Sequence, residues 1–363
     1  MGRIGLTGAS SIYRQDSRMN RFLTSLILVL ALGLVVVSTA SAHTPIGAND
    51  NESLTGATVI PDAAKSWAIY TALHQRGEAQ YYKFEAKRGL KVPIQLFVSP
   101  SQKEIGFTPG LVLMGPGIPN QGTVPSYVQV PAGVGSMVVT GTPPAPATYE
   151  PFAPSVYLQV GQATFDAPAD GTYYVAVFDS ARGGNYGVAI GEAETFTPYE
   201  WVSTPLSFAH IYAWEGRSLF LVYVPAFVTV LLGLVLLMRR HRRGRRMDLP
   251  GWLAASGGLV FLASGVTVAF QAVLDLMRAT PDILGIATLI ITAFALLLGV
   301  LTLLLAMHRS GRWTIGSRLY LAVLGAFALV VWAGWIAGPV LVVVASVIPS
   351  RMSGSGLAAP TAP

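Results

Sequence analysis

The sequence predicts an N-terminal signal peptide, then an all-β sandwich of jelly-roll type outside the membrane, then an all-α bundle of four transmembrane helices. Three observations predict this order. A basic and apolar N-terminus is followed by a region where apolar and polar residues alternate, and then by four long apolar runs. Of the 363 residues, 52% are apolar and only 12% are charged, whereas soluble domains usually carry about 25% charged residues. The composition therefore argues against an ordinary soluble protein.

The N-terminus has the features of a secretory signal peptide over residues 1–42. Arg14, Arg18 and Arg21 precede the uncharged apolar run 22–37, and the small residues that follow it end in Ala-Ser-Ala. That order is typical of an export signal. We expect cleavage after Ala42, and Met19 is an alternative start of translation. Because the apolar run approaches the length of a membrane span, an uncleaved signal anchor is the other interpretation.

The region after the signal predicts a linker and a sandwich. Residues 43–65 include polar and turn-forming residues and predict a flexible linker. Residues 66–212 predict the sandwich domain, because its short apolar alternations are separated by Gly, Pro, Asn and Asp. The predicted strands are 67–73, 79–86, 91–98, 110–114, 126–130, 136–140, 155–165, 172–179 and 186–190. Such a series is typical of a jelly-roll or immunoglobulin-like sandwich.

Two stretches of this domain resemble bacterial pre-peptidase C-terminal domains. Residues 77–86 read Gly-Glu-Ala-Gln-Tyr-Tyr-Lys-Phe-Glu-Ala and are similar to the opening of that family, and residues 169–177 with 183–188 are similar to its closing hairpin. The likeness covers residues 55–192. It implies a jelly-roll-like accessory module of secreted proteins that binds polymers or protein surfaces. The Pro- and Gly-rich stretch 99–155 departs from the family pattern, and the apolar runs have no counterpart there.

Four apolar runs follow the sandwich, and each is long enough to cross about 30 Å of hydrocarbon. None contains an internal Lys, Arg or Glu, and chains that cross lipid must satisfy their backbone groups within a helix. Gly258 and Gly265 share a face of the second run, which lets another helix approach closely. Pro339 predicts a kink or an end in the fourth run. The predicted spans are 219–238, 251–274, 283–307 and 319–348.

Arginines predict the orientation of these spans. One loop carries Arg239, Arg240, Arg242, Arg243, Arg245 and Arg246, and the loop before the fourth span carries Arg309, Arg312 and Arg318. Loops rich in Arg face the cytoplasm. Residues 43–215 and the tail 349–363, which we expect to be disordered, then lie outside a cell membrane that the chain crosses several times. This orientation agrees with the export signal.

The distribution of charge and the absence of Cys exclude several classes of function. Residues 43–215 hold 14 acidic and 8 basic residues, a net charge of −6, so the basic excess belongs to the membrane loops and does not indicate nucleic-acid binding. The chain has no Cys, which excludes disulfides and thiolate sites. The sequence contains no G-x-S-x-G, no phosphate-binding glycine loop, no H-E-x-x-H and no His cluster with metal-ligand spacing. We therefore expect a non-enzymatic protein, although the sequence leaves an enzymatic activity open.

The candidate metal ligands lie outside the spans, and the sequence predicts no required cofactor. After cleavage, His43 would offer an amine and an imidazole to Cu(II), and the alternative is a terminus without a function. Asp166, Asp170 and Asp179 flank one strand. Carboxylates of this kind suit calcium, but an ordinary turn at Asp170-Gly171 is the simpler interpretation.

The polar residues of the membrane region form two groups. Asp275, which shares a helix face with Gln271, is expected to form an interfacial ion pair with Arg278. The alternative is a proton or ion site. The cluster Arg239–Arg246 is expected to contact anionic lipid headgroups besides setting the topology.

The most favoured function is therefore binding. We expect the sandwich to bind an extracytoplasmic ligand or a membrane-protein partner, while the bundle anchors it in lipid or joins a membrane complex. Two alternatives are an accessory component of a transporter or channel and a copper-handling protein that uses His43. Aromatic residues favour interfaces, so the following side chains are candidates either for contact with the partner or for the core: Trp67, Tyr81, Tyr82, Tyr173 and Tyr174.

Overall fold

The structure is a computed structural model that describes residues 43–48, 51–101, 106–144, 146–279 and 284–349. The predicted signal peptide and its cleavage site lie outside these residues. The strands are β1 (Thr44–Pro45), β2 (Thr58–Val59), β3 (Trp67–Leu73), β4 (Ala79–Ala86), β5 (Lys91–Val98), β6 (Gly110–Gly115), β7 (Gly135–Val139), β8 (Thr148–Glu150), β9 (Ser155–Asp166), β10 (Gly171–Phe178) and β11 (Gly184–Ile190). The helices are α1 (Pro198–Trp214), α2 (Leu219–Arg242), α3 (Leu249–Leu276), α4 (Leu284–Arg309), α5 (Ile315–Val330) and α6 (Ala337–Val347).

The strands form two sheets that pack face to face. Sheet one has the order β1-β3-β11-β5-β9-β8 and sheet two the order β2-β4-β10-β6-β7. Most neighbours are antiparallel, and β5 meets β9 with a register shift between Leu96 and Phe97. Eight of the nine predicted strands are confirmed. The predicted strand 126–130 is wrong, because those residues belong to the segment between β6 and β7.

The core of the sandwich explains the alternation in the sequence. Val92, Ile94 and Leu96 of β5 are fully buried between the sheets, and burying such a side chain contributes about 1.5–3 kcal/mol. The hydroxyls of Tyr82 and Tyr186 satisfy each other within this core at 2.5 Å, which avoids the cost of an unpaired buried hydroxyl. The candidate contact aromatics thus belong mainly to the interior: Trp67, Tyr81, Tyr82 and Tyr173 are buried, and Tyr174 packs partly buried on a second cluster.

That second cluster covers the outer face of sheet two. Tyr81 and Met114 point out of the sheet and pack against Val128 and Tyr127 of the segment between β6 and β7. The Tyr81 hydroxyl accepts a hydrogen bond from the Gln129 amide at 2.7 Å. The Pro- and Gly-rich stretch therefore serves as a cover for an apolar sheet face.

The prediction of a flexible linker over 43–65 is wrong for its described residues. β1 pairs with β3 and β2 pairs with β4, both in parallel. Ile60 is buried in the main core, and Asn51 is buried and donates to the Tyr81 carbonyl at 3.1 Å. The segment completes the edges of both sheets, because its apolar residues fill positions that the later strands leave open.

Helix α1 follows the sandwich and has a capping box at its beginning. The Thr197 hydroxyl accepts from the Glu200 amide, the Glu200 carboxylate accepts from the Thr197 amide, and Pro198 occupies the first turn. These contacts satisfy backbone groups that a helix leaves free at its N-terminus. Glu200 also pairs with buried Lys65 at 2.6 Å, which ties α1 to sheet one.

Three helices in the described part of the chain are long and apolar enough to span a membrane: α2, α3 and α4. In length and composition they match the first three predicted spans. The close approach predicted for Gly258 and Gly265 is also present, because a β-carbon at either position would lie 3.0 Å from a leucine side chain of α4. Helices α3 and α4 therefore pack at a distance that larger residues would prevent.

The fourth predicted span, 319–348, is not one helix. It divides into α5 and α6 at residues 331–336, where Trp332 and Trp335 have φ angles of 54° and 53°. The break precedes Pro339, which lies in the first turn of α6, where proline is tolerated. The prediction of a kink at Pro339 therefore misplaces the break.

Helices α5 and α6 form an antiparallel hairpin. Arg318, near the beginning of α5, donates to the carbonyls of Ser346 and Ile348 at the end of α6, at 3.1 and 2.6 Å. The chain after α6 therefore starts at the end of the bundle that carries the arginine-rich loops. The expectation that the tail begins on the sandwich side is wrong. Residues 350–363 themselves lie outside the described part.

Candidate functional site at the junction of sandwich and bundle

The sandwich and the bundle meet around the partly buried guanidinium of Arg217, which lies between α1 and α2. Its Nη2 donates to Asp275 Oδ1 and its Nη1 donates to Gln271 Oε1 at 2.7 Å, both at the end of α3. Its Nε lies 2.5 Å from Glu215 Oε2. The other oxygen of Glu215 accepts from the Val156 amide of β9 at 2.9 Å. A chain of polar contacts thus runs from sheet one to α3.

The electrostatics of this cluster are unbalanced, because one arginine faces two carboxylates. Asp275 is fully buried, and the side chain of Glu215 is only 3% exposed. Burial raises the pKa of Glu215 from 4.5 to about 7, although Arg217 and the Val156 amide oppose the rise. Burial alone would lower the pKa of Arg217, but the two carboxylates raise it above its usual value. A proton on Glu215 therefore makes the cluster neutral.

Aromatic packing beside the cluster fixes the end of α1 on sheet one. Trp214 packs on the outer face of the sheet, with its ring centroid 5.1 Å from that of Tyr70 and 5.8 Å from that of Phe97. Its indole N–H lies 3.0 Å from the carbonyl oxygens of Thr71 and Tyr186. The indole is therefore held by strands β3 and β11 at once, so the helix end cannot shift without losing these bonds.

Two further bridges join the sandwich to the bundle. The Tyr149 hydroxyl of β8 donates to Thr288 Oγ1 of α4 at 2.9 Å. The Thr288 hydroxyl in turn donates to the Pro151 carbonyl at 2.8 Å. Phe152 meets Trp332 at the tip of the α5–α6 hairpin with ring centroids 6.1 Å apart. The sandwich therefore contacts α3, α4 and the hairpin, which makes the junction a packed interface.

A small cavity lies beside this interface. It has a volume of about 20 Å³ and is lined by residues that include His43, Glu150, Thr204 and Trp332, so it holds about one water molecule. Burial raises the pKa of Glu150 from 4.5 to about 7. Burial lowers the pKa of His43 below 6.5, although the charge of Glu194 opposes the shift. The cavity is too small for an organic ligand.

The predicted ion pair between Asp275 and Arg278 is wrong in its partner. Asp275 pairs with Arg217, which the sequence analysis did not single out. Arg278 is exposed, and its backbone amide donates to the Asp275 carbonyl at 2.9 Å. The available signal was a charge of the opposite sign beside a neighbouring apolar run, because Arg217 precedes the first run and Asp275 follows the second.

His43 lies at the beginning of β1, where its Nδ1 is 2.5 Å from Ser66 Oγ. A copper chelate with the amine would need that nitrogen. Among the described residues, the group of side chains close enough to hold a metal is Glu52, His74 and Glu78, whose ligand atoms lie within 4.8 Å of one another. Both oxygens of Glu78 already accept hydrogen bonds, from Gln80 and from the backbone and ring of His74. These hydrogen bonds account for the closeness of the three side chains without a metal. Copper binding at His43 stays a prediction.

Calcium binding stays a prediction, but the structure separates two of its three candidate carboxylates. Asp170 precedes β10 and Asp179 follows it, so about 30 Å of extended chain separates them. Asp170 accepts from Lys87 and the Arg88 amide, and Asp179 accepts from the amides that follow it. Each carboxylate therefore caps its own turn.

The arginine cluster lies at the opposite end of the bundle from the sandwich. Arg239, Arg242, Arg243, Arg245 and Arg246 are exposed. Arg240 is half-buried and donates to the Met307 carbonyl at 3.2 Å. Asp248 joins the loops at this end, because it accepts from Ser310 and from the Trp313 indole at 2.5 and 3.0 Å. Exposed guanidinium groups remain free to meet lipid headgroups.

No protein-family model matches the chain, and no curated protein matches it. The resemblance to pre-peptidase C-terminal domains therefore stays a prediction.

Proposed function

We propose that this chain is an exported membrane protein whose bundle holds an acidic β-sandwich in a fixed position outside the cell, where the sandwich binds a partner. The observation that carries this proposal is the Arg217 cluster, which joins β9 to α3 through buried polar contacts. A domain on a flexible tether needs no such contacts. We call this fixed attachment of the sandwich to the bundle the rigid mount. It is useful where the partner must bind at a defined distance from the membrane and in a defined orientation.

The arginine-rich loops support the sidedness of this proposal. They lie at the end of the bundle away from the sandwich, and loops of this kind are retained in the cytoplasm. Cleavage after Ala42 would make His43, which immediately precedes β1, the first residue of the mature chain. The sandwich would then reach the outside by export, and α2 would stop the transfer.

The free surface of the sandwich indicates the chemistry of the partner. The outer face of sheet one carries Trp214, and the outer face of sheet two is covered by the segment between β6 and β7. Large apolar side chains that the described sandwich exposes are few, namely Val59 and Val130. With a net charge of −6 over residues 43–215, this surface suits a polar or basic partner better than an apolar one.

The rigid mount can be tested by distance measurements between spin labels. The chain has no Cys, so labels can be placed on Lys87→Cys in the sandwich and Arg243→Cys at the arginine-rich end. In nanodiscs we expect one narrow distance distribution. A matched pair that also carries Arg217→Met should give a broader one. A broad distribution in the parent pair would contradict the rigid mount.

Partner binding can be tested in cells with a photo-crosslinking amino acid at Val59 or Val130. We expect a discrete cross-linked product at one of these positions, and high salt should reduce it if acidic residues steer the encounter. The same amino acid at lipid-facing Phe227, which is 79% exposed on α2, is the control. Products at the control position alone would argue against a partner of the sandwich.

A second function, as an accessory to transport, is favoured by one observation. Ser264, Thr267, Gln271 and Asp275 lie along one side of α3 and are all buried. Among the described residues, Thr267 Oγ1 and Asp275 Oδ2 have no hydrogen-bond partner. Such a polar face inside a bundle is a functional feature by default. In liposomes, Asp275→Asn should abolish a proton flux if this function is correct, and an unchanged flux would exclude the role of Asp275.

A further inference from the structure

Helix α1 carries an apolar stripe that no part of the described chain covers. Tyr199 is 80% exposed, Val202 39% and Leu206 63%, and their spacing places them on one helix face. The charged residue of α1 is Glu200, and it pairs with Lys65 away from the stripe. An exposed helix face with large apolar side chains and no charge is unusual for a surface in water.

The contacts of α1 show how deep this stripe lies relative to the spans. The Trp332 indole donates to the Trp201 carbonyl at 2.8 Å, and the Trp201 indole donates to the Leu329 carbonyl at 3.2 Å. The beginning of α1 therefore rests on the tip of the α5–α6 hairpin. The same tip is fixed to α3, because the Gly334 amide donates to Ser264 Oγ at 2.7 Å.

The position of Ser264 within α3 gives the depth. It precedes Asp275 by 11 residues, which corresponds to about 16 Å along the helix axis. The end of α1 lies at the level of Asp275, since Arg217 contacts that carboxylate. Helix α1 thus descends obliquely from the outer end of α3 toward the middle of the bundle.

The lengths of the helices explain this arrangement. Helix α3 has 28 residues and α5 has 16, or about 42 and 24 Å. The hydrocarbon layer is about 30 Å thick. The hairpin therefore ends below the outer boundary of that layer, and α1 occupies the space above its tip. The stripe then continues the lipid-facing surface of α2, which begins with exposed Phe220 and Leu221.

We propose that α1 is an interfacial helix whose stripe of Tyr199, Val202 and Leu206 contacts the lipids of the leaflet on the sandwich side. Helices of this kind place their apolar face among the headgroups and upper acyl chains. The indoles of Trp201 and Trp332 lie beside the stripe, at a level where amphipathic rings are enriched. This inference rests on the proposed membrane insertion of the bundle.

The test uses the absence of Cys in the chain. A nitroxide is attached to Leu206→Cys in the full protein in nanodiscs, and its collisions with oxygen, which concentrates in lipid, are compared with those with a water-soluble nickel chelate. Phe227→Cys on α2 is the lipid control. Lys87→Cys, whose native side chain is 88% exposed, is the water control. We expect the oxygen-to-nickel ratio at Leu206 to equal that at Phe227 and to exceed that at Lys87 severalfold.

Three results would overturn the inference while the bundle remains in the membrane. A ratio at Leu206 equal to that at Lys87 would place the stripe in water. Low accessibility to both reagents in discs that hold a single copy would place another part of the chain over it. Low accessibility only when discs hold two copies would make the stripe a contact between copies. If Phe227 itself behaves like Lys87, then the proposed insertion fails, so the two failures are distinguishable.

Discussion

Neutralising Glu215 should remove a pH dependence from the stability of the sandwich–bundle junction. The perturbation is Glu215→Gln, which keeps an oxygen that can accept from the Val156 amide, as in the native structure. Glutamine imitates the protonated carboxyl, in which state the Arg217 cluster is neutral. The variant should therefore behave at every pH as the native protein behaves in acid.

The magnitude follows from the pKa of Glu215 in the two states. In the folded protein it is about 7, against 4.5 for an exposed glutamate. The folded state then binds more protons between these values, so its stability is highest below pH 4.5 and falls as the pH rises to about 7. The full difference is worth about 3 kcal/mol. Above pH 7, Glu215→Gln should be more stable than the native protein by up to that amount.

Urea unfolding of the full chain in detergent micelles measures this difference, with the fluorescence of Trp214 and the other tryptophans as the signal. The series runs from pH 5 to pH 8. Glu150→Gln is the matched control, because burial raises the pKa of Glu150 to about 7 as well but the residue does not contact Arg217. Each substitution should remove only that part of the pH dependence of the unfolding free energy that comes from the carboxyl group it replaces. If Glu215→Gln loses as much stability from pH 5 to pH 8 as the native protein does, then the reasoning about the cluster is wrong, and a native protein that gains stability over this range would contradict it as well.

Three other changes test separate parts of the structure. Arg217→Met should destabilise the protein by about 3–5 kcal/mol, because two buried carboxylates lose their cation. Adding Glu215→Gln should recover part of this lost unfolding free energy, as measured by urea unfolding. No recovery would refute the charge argument. Gly265→Val should lower the stability by about 1–3 kcal/mol through overpacking against α4. Gly285→Ala should leave the melting temperature nearly unchanged, because its new β-carbon would lie at an ordinary contact distance of 3.6 Å. Equal melting temperatures of the two variants would refute the close approach of α3 and α4. Asp248→Ala should lower stability by about 1 kcal/mol, because the Trp313 indole and Ser310 lose a partly buried acceptor. Unaltered proteolysis of the arginine-rich loops would contradict this role.

Local patterns made much of this architecture predictable. In β5 every second side chain enters the core, so the alternation in the sequence places that strand correctly. The apolar lengths of α2, α3 and α4 identify three spans in the same way. The beginning of α1 is also marked in the sequence, since Thr197 and Glu200 form a capping-box pattern before an apolar stretch.

Features that depend on distant contacts were not predictable. The hairpin looks like one span, because 319–348 is apolar throughout and the break at Trp332 depends on its packing against Trp201 and Phe152. The partner of Asp275 lies 58 residues away in the chain, whereas a helix pattern points to Arg278 one turn on. The outer cover of sheet two is equally nonlocal, since Val128 has strand-like neighbours but packs on Tyr81 as part of an irregular segment.

The most direct test of the account is the sidedness of the sandwich relative to the arginine-rich loops. Two variants, Lys87→Cys and Arg243→Cys, each carry one cysteine. Each is treated with a maleimide that cannot cross the membrane, first in intact cells whose wall or outer layer lets the reagent reach that membrane, and then after the membrane is permeabilised. The account predicts that Lys87→Cys reacts in intact cells and that Arg243→Cys reacts only after permeabilisation. Reaction of Arg243→Cys in intact cells with protection of Lys87→Cys would reverse the orientation and contradict the account.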